Sequence, residues 1–232
     1  MATVGSYEEY TQTALGNFAR KDAAKRDLLV DAVKDLQPQT ILDLGCGAGQ
    51  DVLPFVEKTA AFCIGLDFAA ELGATTKTVF QKDELKKRAA FVRAAGETMP
   101  FADQSFDVVL CRVALPYMHN RKTLAEVARV LKPNGVFLLK THAPAFYFAL
   151  LKDRAKTLNP KQIAYPLICL TGSLWHSLSG KQLTKGFWAG KEIFQTENFI
   201  KSECAKNNLR VERQLSDTSR ETQSFMIVKK SV

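Results

Sequence analysis

Hydrophobic and polar positions follow two rhythms along the chain. Over Ser6 to Asp35 and on to Leu36, apolar residues recur at three- and four-residue intervals, with Leu28, Leu29, Ala32, Val33 and Leu36 on one face. This pattern predicts helix, ended by Pro38. Short apolar runs then alternate with helical stretches: a strand over Thr40 to Leu44, a helix over Gly49 to Lys58, a strand over Ala61 to Leu66 and a helix over about Ala74 to Arg88. Strands at Phe91 to Arg93 and Phe106 to Cys111 follow, then a helix over about Lys122 to Leu131 and a strand over Val136 to Lys140 after the turn Lys132-Pro133-Asn134-Gly135. Such a series predicts an α/β fold with a mostly parallel sheet covered by helices on both faces. The tail reads as a helix over Glu197 to Lys206 and two strands, Leu209 to Gln214 and Ser224 to Lys229, joined by the polar turn Ser216 to Thr222 into an antiparallel hairpin at the sheet edge.

Thr141 to Phe194 interrupts the alternation. It holds 8 of the chain's 22 aromatic residues, both tryptophans included, and seven Lys or Arg residues against two acids, so it carries most of the net charge of +8. An anionic partner is one reading of that balance and a solvated basic face is the other. Gln162 to Gly180 has no charged residue and nearly the length of a membrane span, but Pro166, Gly172 and His176 argue against spanning, which leaves a lid or an interfacial helix. The 232 residues, 46% of them hydrophobic, suffice for one core and one domain. Five widely spaced cysteines without a two-residue pairing fit a reducing compartment and no metal site. The N-terminus shows no secretory pattern, so a cytoplasmic protein is expected.

Ile41-Leu42-Asp43-Leu44-Gly45-Cys46-Gly47-Ala48-Gly49 sets a glycine-rich turn between strand and helix, where backbone can approach a ligand closely and free N–H groups gather. A plain strand-to-helix turn is the bland alternative. Gln50 stands where a dinucleotide fingerprint wants its third glycine, and no Gly-Lys-Ser or Gly-Lys-Thr follows. A nicotinamide or triphosphate ligand is therefore disfavoured. Asp43 and Asp67 end the first and second strands, and Asp67 is placed either to accept from ribose hydroxyls or to cap a helix.

These residues resemble the class I S-adenosylmethionine-dependent methyltransferases, in particular the small-molecule branch that includes quinone-biosynthesis enzymes. The similarity is carried by Asp43-Leu-Gly-Cys-Gly-Ala-Gly49, Gly65-Leu-Asp67, the run Met99-Pro-Phe-Ala-Asp-Gln-Ser-Phe-Asp-Val-Val-Leu110 and Glu126-Val-Ala-Arg-Val-Leu-Lys-Pro-Asn-Gly135. It covers roughly residues 39–140. The resemblance implies a Rossmann-like, seven-stranded, mostly parallel sheet with a helical insertion after strand five. One methyltransferase domain would then span 1–232, with N-terminal helices over 1–37, a cofactor-binding core over 39–140, a lid over 141–194, and the last helix and edge strands over 195–232. It also implies that Asp43 reaches the methionine amino group of S-adenosylmethionine, that Gly45, Cys46 and Gly47 line the cofactor, and that Asp67 holds the ribose. Adenine contact falls to Phe68, Gly96 and Glu97, because Ala95 stands where the family's pattern has an acid.

In an open parallel sheet the ligand crevice lies beyond the carboxyl ends of the strands. His119 and His142 follow the fourth and fifth strands and are the candidate catalytic residues, as general bases or acceptor hydrogen-bond partners; a helix-end histidine is the alternative for His119. Arg112, counted with the cofactor site, binds an anionic group or pairs with a neighbouring acid. Tyr117, Trp175 and His176 are candidate acceptor-binding residues, with packing beside Trp175 the competing account of His176. Tyr7 and Tyr10 are placed to fold over the cofactor or to pack on the sheet edge. The aromatics of the insertion, Phe146, Tyr147 and Phe148 among them, line an apolar acceptor pocket or form a small helical core or dimer interface. The expected reaction is methylation, at oxygen by preference, of a small aromatic or apolar molecule, with an anionic or membrane-associated acceptor and a homodimer both compatible. RNA base methylation and S-adenosylmethionine binding without catalysis are the rivals, and the lack of an appended RNA module makes nucleic acid the weaker partner.

Overall fold

In the computed structural model, which describes residues 23–69 and 87–231, seven strands form one sheet in the order β3-β2-β1-β4-β5-β7-β6. These are β1 (Thr40–Leu44), β2 (Phe62–Asp67), β3 (Ala89–Arg93), β4 (Phe106–Arg112), β5 (Leu131–His142), β6 (Leu209–Gln214) and β7 (Thr222–Lys229). The first five are parallel, and β7 runs antiparallel to both β5 and β6. The predicted edge hairpin is therefore present. Among the described residues the helices are α1 (Ala23–Val33), α2 (Val52–Lys58), α3 (Asn120–Val130), α4 (Pro144–Ala155), α5 (Pro160–Ser179) and α6 (Glu197–Lys206). The calls on Tyr7 and Tyr10 and on most of the helix expected at Ala74 to Arg88 lie outside the described residues.

The two-residue period of the strands sorts side chains onto two faces. Leu42, Val109, Cys111, Phe137 and Leu139 pack on one face against Leu124 and Val127 of α3 and Ile200 of α6. Ile41, Val108, Leu110, Val136 and Leu138 pack on the other against Val33 of α1 and Phe55 of α2. Strands buried on both sides explain why the sequence shows continuous apolar runs there rather than alternation.

The turn expected at Lys132 to Gly135 is instead a bulge inside β5. Pairing passes from Phe106–Leu131 to Val108–Val136 across it, and Asn134 takes a φ of 62°. Asp107 explains the register. Its carboxylate accepts from the Gln39 and Thr40 N–H groups at 3.0 and 2.9 Å and from Lys132 Nζ at 2.8 Å, which ties the starts of β1 and β4 to the bulge. Gly172 and Pro166, which argued against a membrane span, both lie within the unbroken α5. Gly172 is needed there because a Cβ would come within 2.6 Å of Trp188. No helix among the described residues is long and apolar enough to cross a membrane.

Two of the quoted sequence runs meet in one clamp. All five N–H groups of Arg129 are used: two go to the Glu126 carboxylate, and the other three reach the Phe101 and Met99 carbonyls and Asp103. Glu126 also accepts from the Met99 N–H at 2.7 Å. The loop that enters β4 is thus fastened to α3.

Candidate active site

The sheet order reverses direction at β1, whose neighbours are β2 and β4, and ligands of open α/β sheets bind beyond the strand ends at such a point. There the chain turns through Gly45, Gly47 and Gly49 with φ of +76°, +53° and +79°. A Cβ on Gly45 would lie 2.2 Å from the Ala114 Cβ, so that glycine is demanded by packing. A Cβ on Gly47 would meet only the Gln50 side chain, at 3.8 Å. The side of the loop above Gly47 is therefore open to a ligand.

The loop is held by its own bonds. The Gly45 and Cys46 N–H groups both donate to the Leu66 carbonyl, and the Cys46 carbonyl accepts from Gly49. The Cys46 side chain is buried, and burial pushes its thiol well up. Cys46 thus builds the loop, its N–H bonded to β2 and its carbonyl to Gly49. The Asp67 oxygens accept from the Gly47 and Ala69 N–H groups, each at 2.9 Å. A carboxylate offers about four lone-pair positions, so two remain for hydroxyl donors. Phe68 is exposed beside this point, with the Arg93 guanidinium 5.9 Å from its ring.

Asp43 is 2% exposed, and its Oδ2 has no hydrogen-bond partner. Burial first, and the Asp51 carboxylate second, hold its carboxyl well above the usual range. Arg112 opposes this and pairs with Asp51 at 2.7 Å, the acid partner of its second reading. Gln50 Oε1 is likewise buried and unbonded. An orphaned buried carboxylate oxygen next to an open glycine cradle fits the ammonium group of the expected cofactor.

Gly96 is buried where a Cβ would lie 2.9 Å from the Met118 sulfur, so it too serves packing. Glu97 accepts the His119 N–H at 2.7 Å and thereby anchors the first turn of α3. His119 is the N-cap residue of that helix, as its helix-end reading expected, yet its Nδ1 is buried with no partner.

A second cluster lies at the carboxyl end of β5. Glu192, 4% exposed, accepts from Tyr117 at 2.9 Å, from Tyr147 at 2.7 Å and from Tyr165, and its Oε2 lies 3.2 Å from His142 Nδ1. Burial alone would raise the Glu192 carboxyl, but the bonds from His142 and the three tyrosines overcome it and bring it down to about 2. Phe146 stacks on His142 with ring centroids 3.7 Å apart. Sequence reading placed His142 and Tyr117 but counted Glu192 only as a charge. Its being one of two acids in an otherwise basic insertion was the available signal.

The insertion's aromatics do not share one pocket, which corrects that expectation. Phe146, Tyr147 and Tyr165 gather at Glu192, Trp188 packs on Gly172, and Phe148, Trp175 and Phe187 are exposed. His176 sits edge-on to Phe199 of α6 at 4.8 Å, and burial, then the Arg121 guanidinium, lowers its basicity. It is buried packing between helices, with Phe199 rather than Trp175 as its partner.

The family model described as "Methyltransferase domain" matches residues 42–139. The uncharacterized methyltransferase YcgJ of Bacillus subtilis is 34% identical over 119 residues, 50% of this chain and 45% of that protein. The chain thus spans less than half the length of that relative. The thiol S-methyltransferase TMT1B of Rattus norvegicus is 33% identical over 177 residues, 73% of this chain and 71% of that one. Among solved structures, geranyl diphosphate C-methyltransferase from Streptomyces coelicolor, determined with S-adenosyl-L-homocysteine, superposes with a TM-score of 0.63 at 13% identity, covering 97% of this chain and 84% of that one.

Proposed function

Because the chain belongs to the class I S-adenosylmethionine-dependent methyltransferases, we propose that it transfers the methyl group to the oxygen of a phenol or other hydroxyl on a small apolar molecule. The observation that carries this reading is His142 at the carboxyl end of β5, bonded on one ring nitrogen to a buried carboxylate. An acceptor that carries a proton needs a base, and an amine at neutral pH or an ionised phenol needs less of one.

S-adenosylmethionine supplies the methyl as an electrophilic sulfonium substituent. Asp43 binds the ammonium end, the loop at Gly47 admits the cofactor's backbone-sized approach, and Asp67 has lone pairs left for ribose hydroxyls. Holding acceptor and methyl in line contributes about 7–11 kcal/mol, more than the roughly 10²–10⁴ in rate that a base adds. His142 takes the acceptor's proton, and His119, whose buried Nδ1 lacks a partner, hydrogen-bonds the acceptor. A second reading, transfer to a thiol sulfur, is favoured by the rat relative's activity and uses the same residues.

The test is label transfer from methyl-labelled S-adenosylmethionine to a phenol, a catechol, an aryl thiol, an alkyl thiol and an arylamine, with Asp43→Ala as control. Label on a phenol or catechol supports the first reading and label on a thiol the second. Label on the amine alone, or in RNA supplied alongside, overturns both, and cofactor binding without transfer to any acceptor points to a binding protein.

A further inference from the structure

We propose that Glu192 is a positioning residue for this reaction: it fixes His142 in the tautomer protonated at Nδ1, so that Nε2 presents its lone pair to the acceptor's proton. The inference rests on the reading of His142 as proton acceptor given above.

The argument is one of capacity. Glu192 Oε1 accepts from Tyr117 and Tyr165, and Oε2 from Tyr147 and His142 Nδ1. A carboxylate has about four lone-pair positions, so all are occupied. An acid that binds a cationic acceptor must keep a position for it, and Glu192 keeps none. A saturated buried acid acts on its donors instead. Three of these are phenol hydroxyls, which donate to the carboxylate, and burial with Glu192 itself pushes the ionisation of Tyr147 and Tyr165 up. The fourth is an imidazole, whose proton is located by whichever contact one nitrogen makes. An ionised carboxylate only accepts, so Nδ1 donates to it, and in the neutral ring Nε2 then holds the lone pair.

The cluster is assembled from separate elements. Tyr117 comes from the turn after β4, His142 from the end of β5, Tyr147 from α4 and Tyr165 from α5. Cys169 of α5 faces the same carboxylate, and the Lys191 ammonium lies 5.5 Å from the Tyr165 ring. Phe146 closes one face of the imidazole. A ring fixed by stacking and by one bond to a rigid acid has the preorganisation that proton transfer requires.

In the transfer, the acceptor's oxygen or sulfur bonds to the methyl carbon while the methyl–sulfur bond breaks and leaves its electron pair on sulfur. The acceptor's proton passes to His142 Nε2, and the resulting imidazolium lies against Glu192. Water later removes that proton, so the sum is methylated acceptor, S-adenosylhomocysteine and one proton.

The first measurement needs no acceptor: long-range proton–nitrogen NMR of the full chain at a pH where His142 is neutral. The proton is expected on Nδ1 of His142. In Glu192→Gln, which keeps the shape, the amide nitrogen can donate to Nδ1 and the proton is expected on Nε2. With the phenol or aryl thiol that the chain methylates, Glu192→Gln is expected to lower kcat by at least about 10², since the same carboxylate-to-amide exchange in hydrolytic triads costs about 10⁴. S-adenosylmethionine affinity, read by calorimetry, is expected to hold. In a His142→Ala background the exchange should add less than about twofold. A wild-type proton on Nε2, or an equal cost of Glu192→Gln in both backgrounds, overturns the inference. Full turnover by His142→Ala alone overturns the reading beneath it instead.

Discussion

Asp43 is held at odds with the folded state, and that predicts a trade between stability and binding. Its carboxyl is raised by burial and by Asp51, so its ionised form costs stability. For a raised acid, stability is lost as pH climbs from the unfolded carboxylate's value through the folded one, and at neutral pH the loss is greatest. Asp43→Asn should therefore melt higher than the parent at pH 7, at about 2–4 °C per kcal/mol for a chain of this size, with the gap closing in acid. The same variant should bind S-adenosylmethionine at least about tenfold more weakly, because a charge-assisted bond is worth about 1.5–3 kcal/mol. Calorimetry and thermal melts on one preparation check both. Glu192 has the opposite sign. Its carboxyl falls from 4.5 to about 2, so its contribution is full above pH 4.5 and is lost as pH drops towards 2. Denaturant titrations of parent and Glu192→Gln should show the difference between them shrinking by about 3 kcal/mol over that window.

Elements are joined here by a few polar staples, and the clamp at Arg129 is the densest. Its five donors tie the loop before β4 to α3, and the guanidinium is only 30% exposed. Arg129→Ala leaves Glu126 without its main partner and two carbonyls unbonded, which should cost about 2–3 kcal/mol in urea denaturation. The cofactor contacts proposed for Asp43 and Gly47 lie on other elements, so affinity for S-adenosylmethionine should change less than stability. Two strands were read with their observed limits, the buried run of β1 and the largely exposed β6, each bounded by turn residues. Limits failed where polar contacts decide them. Lys132 to Gly135 has turn composition, but Asp107 draws the lysine into the sheet as a bulge, and residues 46–51 delay α2 because the loop's own bonds use the backbone that would start it. The glycine turn at Gly45, Gly47 and Gly49 could be read because its backbone demands are local. Glu192 could not, because four elements separated by up to 75 residues supply its partners.

At the scale of the whole molecule, the insertion combines apolar exposure with positive charge. α5 buries Cys169, Gly172 and His176 on one face and turns Leu167, Leu174, Trp175 and Leu178 outward, with Leu178 79% exposed, and Phe187 beyond it is 78% exposed. Exposed apolar groups in such numbers on one element mark a contact surface. Lys161, Lys181 and Lys185 flank it and are exposed, which predicts binding to an anionic lipid surface, where apolar side chains enter the boundary region and each lysine adds about 1 kcal/mol. Flotation with vesicles is expected to carry the protein when they contain phosphatidylserine, to leave it behind with phosphatidylcholine alone, and to weaken steeply as salt is raised. Leu174→Glu with Leu178→Glu should abolish flotation and leave methylation of a water-soluble acceptor unchanged, since neither residue touches Glu192 or the glycine loop. A protein that ignores both vesicle types and is dimeric by light scattering, becoming monomeric in the double variant, would make this face a contact between copies of the chain.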